Sequence, residues 1–295
     1  MPEIVEATTS DGIRLHGAYH PAQLPAQLAS PRAVDLDAVL LLHGAGGNFY
    51  GSSLFAGLLP MLRQLGLAVL AVNTRGHDAV SSAATPGGVR MLGAAFETVD
   101  ECRHDLAAWI AWLVQQGHHR VALAGHSLGA VKAIYGMALE GSAAVKCLIA
   151  MSPPRLAHSQ FADGPDAAQF LTEYAEAERL VGEGKGDTIM PVKFPIPYLV
   201  SAAGYVDKYG PAERYNILKH VRQVACPTLF TFGTIELRRG SAFQGLPEEL
   251  NDLAEHKNDL KVAVIAGADH FYTAARGELA GQIESWLRQT NRRTN

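Results

Sequence analysis

The stretch VALAGHSLGA, residues 121–130, sets four apolar residues directly before Gly125-His126-Ser127-Leu128-Gly129 and continues into a helix-like run. Its first residues read as a short buried strand. After Ser127, Val131, Ile134, Tyr135 and Ala138 recur at helical spacing, and Gly141 closes the run. A serine therefore falls between a strand and a helix, with a glycine two positions away on either side. A sharp strand-to-helix turn needs that pattern, because side chains at the flanking positions would collide. A serine hydroxyl is a weak nucleophile, so chemistry at Ser127 requires a base, a group to orient the base, and donors for an oxyanion. The start of the helix offers free N–H groups and the positive end of a dipole.

Outward from this turn the chain alternates strand and helix. Short apolar runs at 38–43, 67–73, 120–125, 146–152, 227–233 and 261–267 read as buried parallel strands. Between them, Val99, Cys102, Leu106, Trp109 and Leu113 mark a helix across 97–116, and ELAGQIESWLRQ marks a final one. Near the N-terminus, EIVEATT and IRLHGAYH flank Asp11-Gly12, which predicts a hairpin with a tight turn. The pattern predicts an α/β fold with a mostly parallel central sheet and helices on both faces. From 155 to 222 no buried-strand pattern occurs; that stretch is expected to be a helical cap or lid inserted into a core of residues 1–154 and 223–295, over the carboxyl edge of the sheet.

In such sheets ligands bind beyond the carboxyl ends of the strands, where Ser127 lies. With Gly-x-Ser-x-Gly between a strand and a helix, the chain resembles the α/β-hydrolase fold family from about residue 37 to the C-terminus, most weakly across 155–222. The resemblance implies a histidine in the loop after the last strand, where KVAVIAGADHFY offers His270, and an acid after the preceding strand, where FTFGTIEL offers Glu236. The order Ser127, Glu236, His270 is the family's order. Glu236 competes with a reading as a solvated loop carboxylate; Asp269, adjacent to the histidine, is poorly placed to orient its ring, and Asp207 is an outside candidate. LLLHGAGGNFYG, after the first parallel strand, corresponds to the loop the family folds over its nucleophile, so the backbone N–H groups of Ala45 and Leu128 are the expected oxyanion donors. The stretch VNTRGHDAVSS resembles the family's Asp-x-Arg-Gly-x-Gly-x-Ser, with Asn73 and Asp78 as departures. Asn48, Phe49, Arg75 and His126 are candidate pocket residues; for Arg75 and His77 a bracing role in the loop is the competing reading, and His126 is read as structural rather than catalytic.

The resemblance implies acyl transfer from a small-molecule carboxylic ester or thioester with an apolar or aromatic portion, without a cofactor. Amides, lactones and carbon–carbon bonds remain open as electrophiles, and a receptor module without turnover is the reading from another class. FPIPYLVSAAGYV either lines the pocket or packs the cap onto the sheet. Composition bounds the rest. The 295 residues, 48% hydrophobic and 18% charged with a net charge of −4, describe a globular chain. They give no electrostatic reason to expect nucleic acid or a stable membrane association; the basic RQTNRRT at the C-terminus reads as a solvated tail. Cys102, Cys147 and Cys226 read as reduced, buried residues, and the N-terminus carries no secretory pattern, which predicts a cytoplasmic protein. Spacing shows no metal cluster, His118-His119 included, and leaves a homodimer open.

Overall fold

The computed structural model describes residues 1–22, 34–255, 257 and 259–290; the basic tail beyond Thr290 lies outside the described residues. Strands β1 (Glu3–Thr8) and β2 (Arg14–His20) form the expected antiparallel hairpin. The turn is longer than a two-residue one: Thr8 pairs with Arg14, Gly12 N–H donates to the Thr9 carbonyl, and the Thr9 hydroxyl is held by Asp11. Then follow β3 (Ala38–Leu42), α1 (Ser53–Gln64) and β4 (Ala68–Val72). An unexpected exposed ribbon, β5 (Ser81–Thr85) and β6 (Gly88–Leu92), precedes α2 (Cys102–Gln115), β7 (Val121–His126), α3 (Leu128–Leu139) and β8 (Val145–Met151).

Residues 155–222 contain α4 (His158–Ala162), α5 (Ala167–Gly182), a ribbon of β9 (Ile189–Val192) and β10 (Tyr198–Ser201), and α6 (Ala202–Tyr209). The stretch thus holds three α-helices, and the ribbon is a feature the sequence did not announce. The core resumes with β11 (Thr228–Gly233), α7 (Thr234–Arg239), α8 (Leu246–Glu255), β12 (Leu260–Ile265) and α9 (Arg276–Thr290).

The main sheet has the order β1-β2-β4-β3-β7-β8-β11-β12. The six runs read as parallel strands form its contiguous parallel part, with the N-terminal hairpin added antiparallel at the β4 edge. Both faces are covered, which explains why β3, β4 and β7 are apolar without alternation. Leu40 and Leu42 face the layer of α2, α3 and residues 155–222; Val39 and Leu41 face α1 and α9. Trp109 fills the first layer and its indole N–H donates to the Asn73 carbonyl at 3.0 Å, so its one polar atom is satisfied in burial. The three cysteines are free and buried, and burial pushes each thiol up in pKa, to about 11 for Cys226. Among the described residues no helix is long and apolar enough to cross a membrane.

The stretch 155–222 is tied to the rest of the chain by backbone and side chain. Ser201 N–H donates to the Ala95 carbonyl at 2.7 Å, and Asp207 accepts the Val99 N–H at 3.1 Å. Inside it, Phe161 packs on Phe170 and Phe194, and Glu173 accepts the N–H groups of Lys193 and Phe194, which fixes the ribbon to α5.

Candidate functional site

The glycines beside Ser127 have a measurable steric reason. A Cβ at Gly125 would lie 2.4 Å from the Gly129 carbonyl, and one at Gly129 would lie 2.4 Å from the carbonyl oxygens of Leu42 and His43. Ser127 itself adopts φ 55° and ψ −126°, a conformation that L residues avoid. It is held there because its N–H donates to the Met151 carbonyl at 2.8 Å and its carbonyl accepts from Ala130 N–H at 2.9 Å. The side chain opens into a cavity of about 820 Å³ at the carboxyl edge of the parallel strands. Ala45, Asn48, His126, Leu128 and His270 line the same cavity.

His270 and Glu236 meet although they are 34 residues apart: His270 Nδ1–H donates to Glu236 Oε2 at 2.7 Å. Glu236 sits in the first turn of α7 and is 5% exposed. Its Oε1 accepts the Gly233 N–H at 2.6 Å and the Ser152 hydroxyl at 2.6 Å. Since the carboxylate only accepts, the Ser152 proton points at Glu236. The Tyr272 hydroxyl, 2.8 Å away, then donates to Ser152 Oγ, and Thr231 donates to Tyr272 at 2.8 Å. This chain of three hydroxyls comes from β11, the end of β8 and the loop after β12. With Nδ1 committed to the carboxylate, the other ring nitrogen of His270 is the one free to exchange a proton. Neither it nor Ser127 Oγ has a hydrogen-bond partner among the described residues, and such contacts commonly close only around substrate.

The rival acids are engaged by other donors. Asp269 uses Oδ1 to accept the N–H groups of Phe271 and Thr273, and Asp207 takes the Tyr215 hydroxyl and the Val99 N–H. Of the expected pocket residues, two do not line the cavity. Arg75 is 1% exposed and spent on bracing: its guanidinium donates to Asp105 and Asp11, and its own N–H to Asp105 at 2.8 Å. These contacts lock the start of the chain to α2, and hold the Asp11 carboxyl well below the carboxylate range against the opposing effect of its burial. Phe49 points into the α1 and α9 layer, packed edge-on against Tyr50, while its N–H donates to Asn73 Oδ1 at 3.1 Å. Asn73, where the family pattern has aspartate, thus ties the two loops together.

His126 does more than line the cavity. Its Nε2–H donates to the His270 carbonyl at 2.7 Å and its ring lies 4.8 Å from the His270 ring, so the residue before Ser127 pins the histidine loop. His43 has the same kind of role on the other side. Its Nε2 accepts the Thr74 N–H at 3.0 Å, which leaves the proton on Nδ1, where it donates to the Gly44 carbonyl at 2.7 Å. The Gly47 N–H donates to that carbonyl too. In a trans peptide the Ala45 N–H points opposite to the Gly44 carbonyl, hence away from His43 and Gly47. Gly44 is packed so close that a Cβ there would lie 2.9 Å from Ser127 Cβ. Leu128, first in α3, has an N–H with no acceptor inside its helix.

Both histidines are held neutral. Burial and then Lys132 lower His43 to about 4; burial and then His270 lower His126 to about 3. In the unfolded chain each takes a proton near pH 6.5. Below that pH the unfolded state binds protons that the native state refuses, so stability falls with falling pH down to the folded values. Each histidine contributes up to ~1.4 kcal/mol per pH unit, so lowering the pH from 6.5 to 4.5 costs on the order of 5 kcal/mol from the pair. The expected result is a Tm that drops steeply over this interval, with a shallower slope for His126→Gln; a flat profile would contradict the assignment.

This strand order, with a serine on a strained turn beyond β7 and a glutamate–histidine pair beyond β11 and β12, the last two parallel strands, defines the class. The family model for the Alpha/beta hydrolase family matches residues 39–284, and the chain belongs to that family. Solved structures share the fold at low identity. The Pyrococcus furiosus esterase Pf2001 is 18% identical with a TM-score of 0.62, covering 99% of this chain and 91% of its own. Est1E from Butyrivibrio proteoclasticus, solved with ferulic acid bound, is 14% identical with a TM-score of 0.64 over 96% of this chain and 98% of its own. A soluble variant of the monoglyceride lipase from Saccharomyces cerevisiae, solved with a substrate analogue, is 13% identical with a TM-score of 0.61 over 98% and 96%. No curated protein sequence matches the chain.

Proposed function

We propose that the protein is a serine hydrolase of the carboxylesterase kind, cleaving small-molecule esters or thioesters. The observation that carries the proposal is the 2.7 Å contact between His270 Nδ1 and Glu236 Oε2 in the cavity that holds Ser127. In the first half-reaction Ser127 Oγ attacks the acyl carbon while His270 Nε2 takes its proton; the N–H groups of Ala45 and Leu128 hold the oxyanion. The tetrahedral adduct then expels the alcohol or thiol, protonated by His270. In the second, water gives a proton to His270 and attacks the acyl-serine, and the acid leaves as Ser127 recovers its proton. Glu236 orients the ring and stabilises its cationic form.

Residues 155–222 act as the cap of this reading. Pro195, Ile196 and Tyr198 of the cap face the cavity, whereas Phe194 packs inside the cap, so the apolar run at 194–200 serves both purposes. The names of the similar structures, esterases and a lipase among them, fit this proposal. Incubation with a fluorophosphonate should add one phosphonyl group at Ser127, and p-nitrophenyl esters should be turned over. An unlabelled, inactive but folded protein would leave the receptor-module reading in its place.

A further inference from the structure

The cap end of the cavity carries charge that the hydrolysis of a neutral ester does not use. Lys208, on α6, lines the cavity and is 2% exposed. Its Nζ donates to the Ala94 carbonyl at 3.0 Å and stands 5.7 Å from the centre of the Tyr198 ring. Its nearest carboxylate oxygen, Glu97 Oε1, is 3.6 Å away, beyond a hydrogen bond, and that oxygen has no hydrogen-bond partner among the described residues. The other oxygen of Glu97 is taken by the buried Lys132. Two ammoniums therefore share one carboxylate in a buried cluster, and the third member, His43, is neutral.

Of the neighbouring carboxylates, Asp105 is bonded to Arg75, and Asp207 accepts the neutral Tyr215 hydroxyl, with Arg214 at 3.9 Å and closer to Asp100 at 2.8 Å; neither carboxylate forms a hydrogen bond with the Lys208 ammonium among the described residues. Lys208 Nζ has three protons and only the Ala94 carbonyl within hydrogen-bond distance among the described residues, and a buried donor left without an acceptor is costly. Beside Lys208, the Tyr198 hydroxyl donates to Tyr209 Oη at 3.2 Å. The Tyr209 proton is left without an acceptor among the described residues, in a side chain only 6% exposed that also lines the cavity.

We propose that Lys208 and Tyr209 form a carboxylate-binding subsite, and that the ester hydrolysed at Ser127 carries a carboxylate at its far end. An ammonium N–H and a phenol O–H, both facing the cavity, suit the two oxygens of one carboxylate. The inference rests on the hydrolase reading, which fluorophosphonate labelling of the wild type tests separately.

The test compares mono-p-nitrophenyl esters of glutarate, adipate and suberate with neutral p-nitrophenyl esters of equal chain length. At the length that spans the cavity, kcat/KM is expected to favour the carboxylate ester about tenfold or more, the return on a charged hydrogen bond. In Lys208→Met that selectivity ratio should fall by tens of fold; in Tyr209→Phe, which keeps the packing and serves if the lysine variant fails to fold, by about tenfold. A wild type that labels with fluorophosphonate but prefers the neutral ester at every length overturns the subsite alone. A lysine variant that loses both ester types in proportion does the same, since Lys208 would then only strap α6 to the Ala94 carbonyl. Absence of labelling and of all turnover removes the hydrolase reading and the subsite with it.

Discussion

Ser127→Ala is expected to abolish fluorophosphonate labelling and to lower ester turnover by roughly 10⁶-fold, the loss seen when a serine nucleophile is removed from an intact triad. The substitution removes one oxygen and leaves Cβ in place, so the backbone strain at φ 55° is the same in both proteins. The bonds that hold the turn, from Ser127 N–H to Met151 and from Ala130 N–H to Ser127, involve only main chain. The Tm should therefore stay within a few degrees, and the loss is chemical rather than structural. Neither the cysteines nor Ser152 can take over. The three thiols are buried and pushed towards the unreactive protonated form, and the Ser152 hydroxyl is committed to Glu236. Intact mass after labelling reads the result directly, and a full phosphonyl adduct on the alanine variant would put the nucleophile elsewhere.

The same residues explain what could be read from the sequence. Six parallel strands were legible because strands covered on both faces must be apolar throughout, and the glycines at 125 and 129 were legible because their positions admit no Cβ. The β9–β10 ribbon was not: four-residue strands are too short to show alternation, and Pro191, inside β9, is a residue that argues against a strand. The β5–β6 ribbon is small, exposed and without a hydrophobic face to leave a period. Arg75 was legible only as a choice between pocket and brace, because the partners that decide it, Asp11 and Asp105, are separated from it by 64 and 30 residues. Ser152, Thr231 and Tyr272 left no signal, since three hydroxyls on three elements have no spacing in common. Their presence in a line behind Glu236 is a property of the fold.

That line of donors makes Glu236→Gln the sharpest single test of the site. An amide must present its oxygen to one side and its nitrogen to the other. On the Oε1 side stand the Gly233 N–H, which cannot be reoriented, and the Ser152 hydroxyl, which the donor chain from Thr231 through Tyr272 directs inward. Both need an acceptor, so the glutamine oxygen is held there and its NH₂ faces His270 Nδ1. A donor facing a donor forces the imidazole into the other tautomer, with the proton on Nε2, where it can no longer accept the Ser127 proton. The expected loss in kcat/KM is about 10⁴-fold with little change in Tm, as for the corresponding change in a serine protease triad. Glu236→Asp keeps the charge but shortens the reach by one carbon–carbon bond, about 1.5 Å. It cannot hold both the Gly233 N–H and His270 at 2.6 and 2.7 Å, so its activity should fall between wild type and glutamine. The order wild type, aspartate, glutamine follows from tautomer and reach together. A glutamine variant that turns over at the wild-type rate would mean that Glu236 does not set the tautomer of His270, and neither Asp269, whose Oδ1 holds the N–H groups of its own loop, nor Asp207, engaged by Tyr215 and Val99, could inherit that task without a rearranged loop.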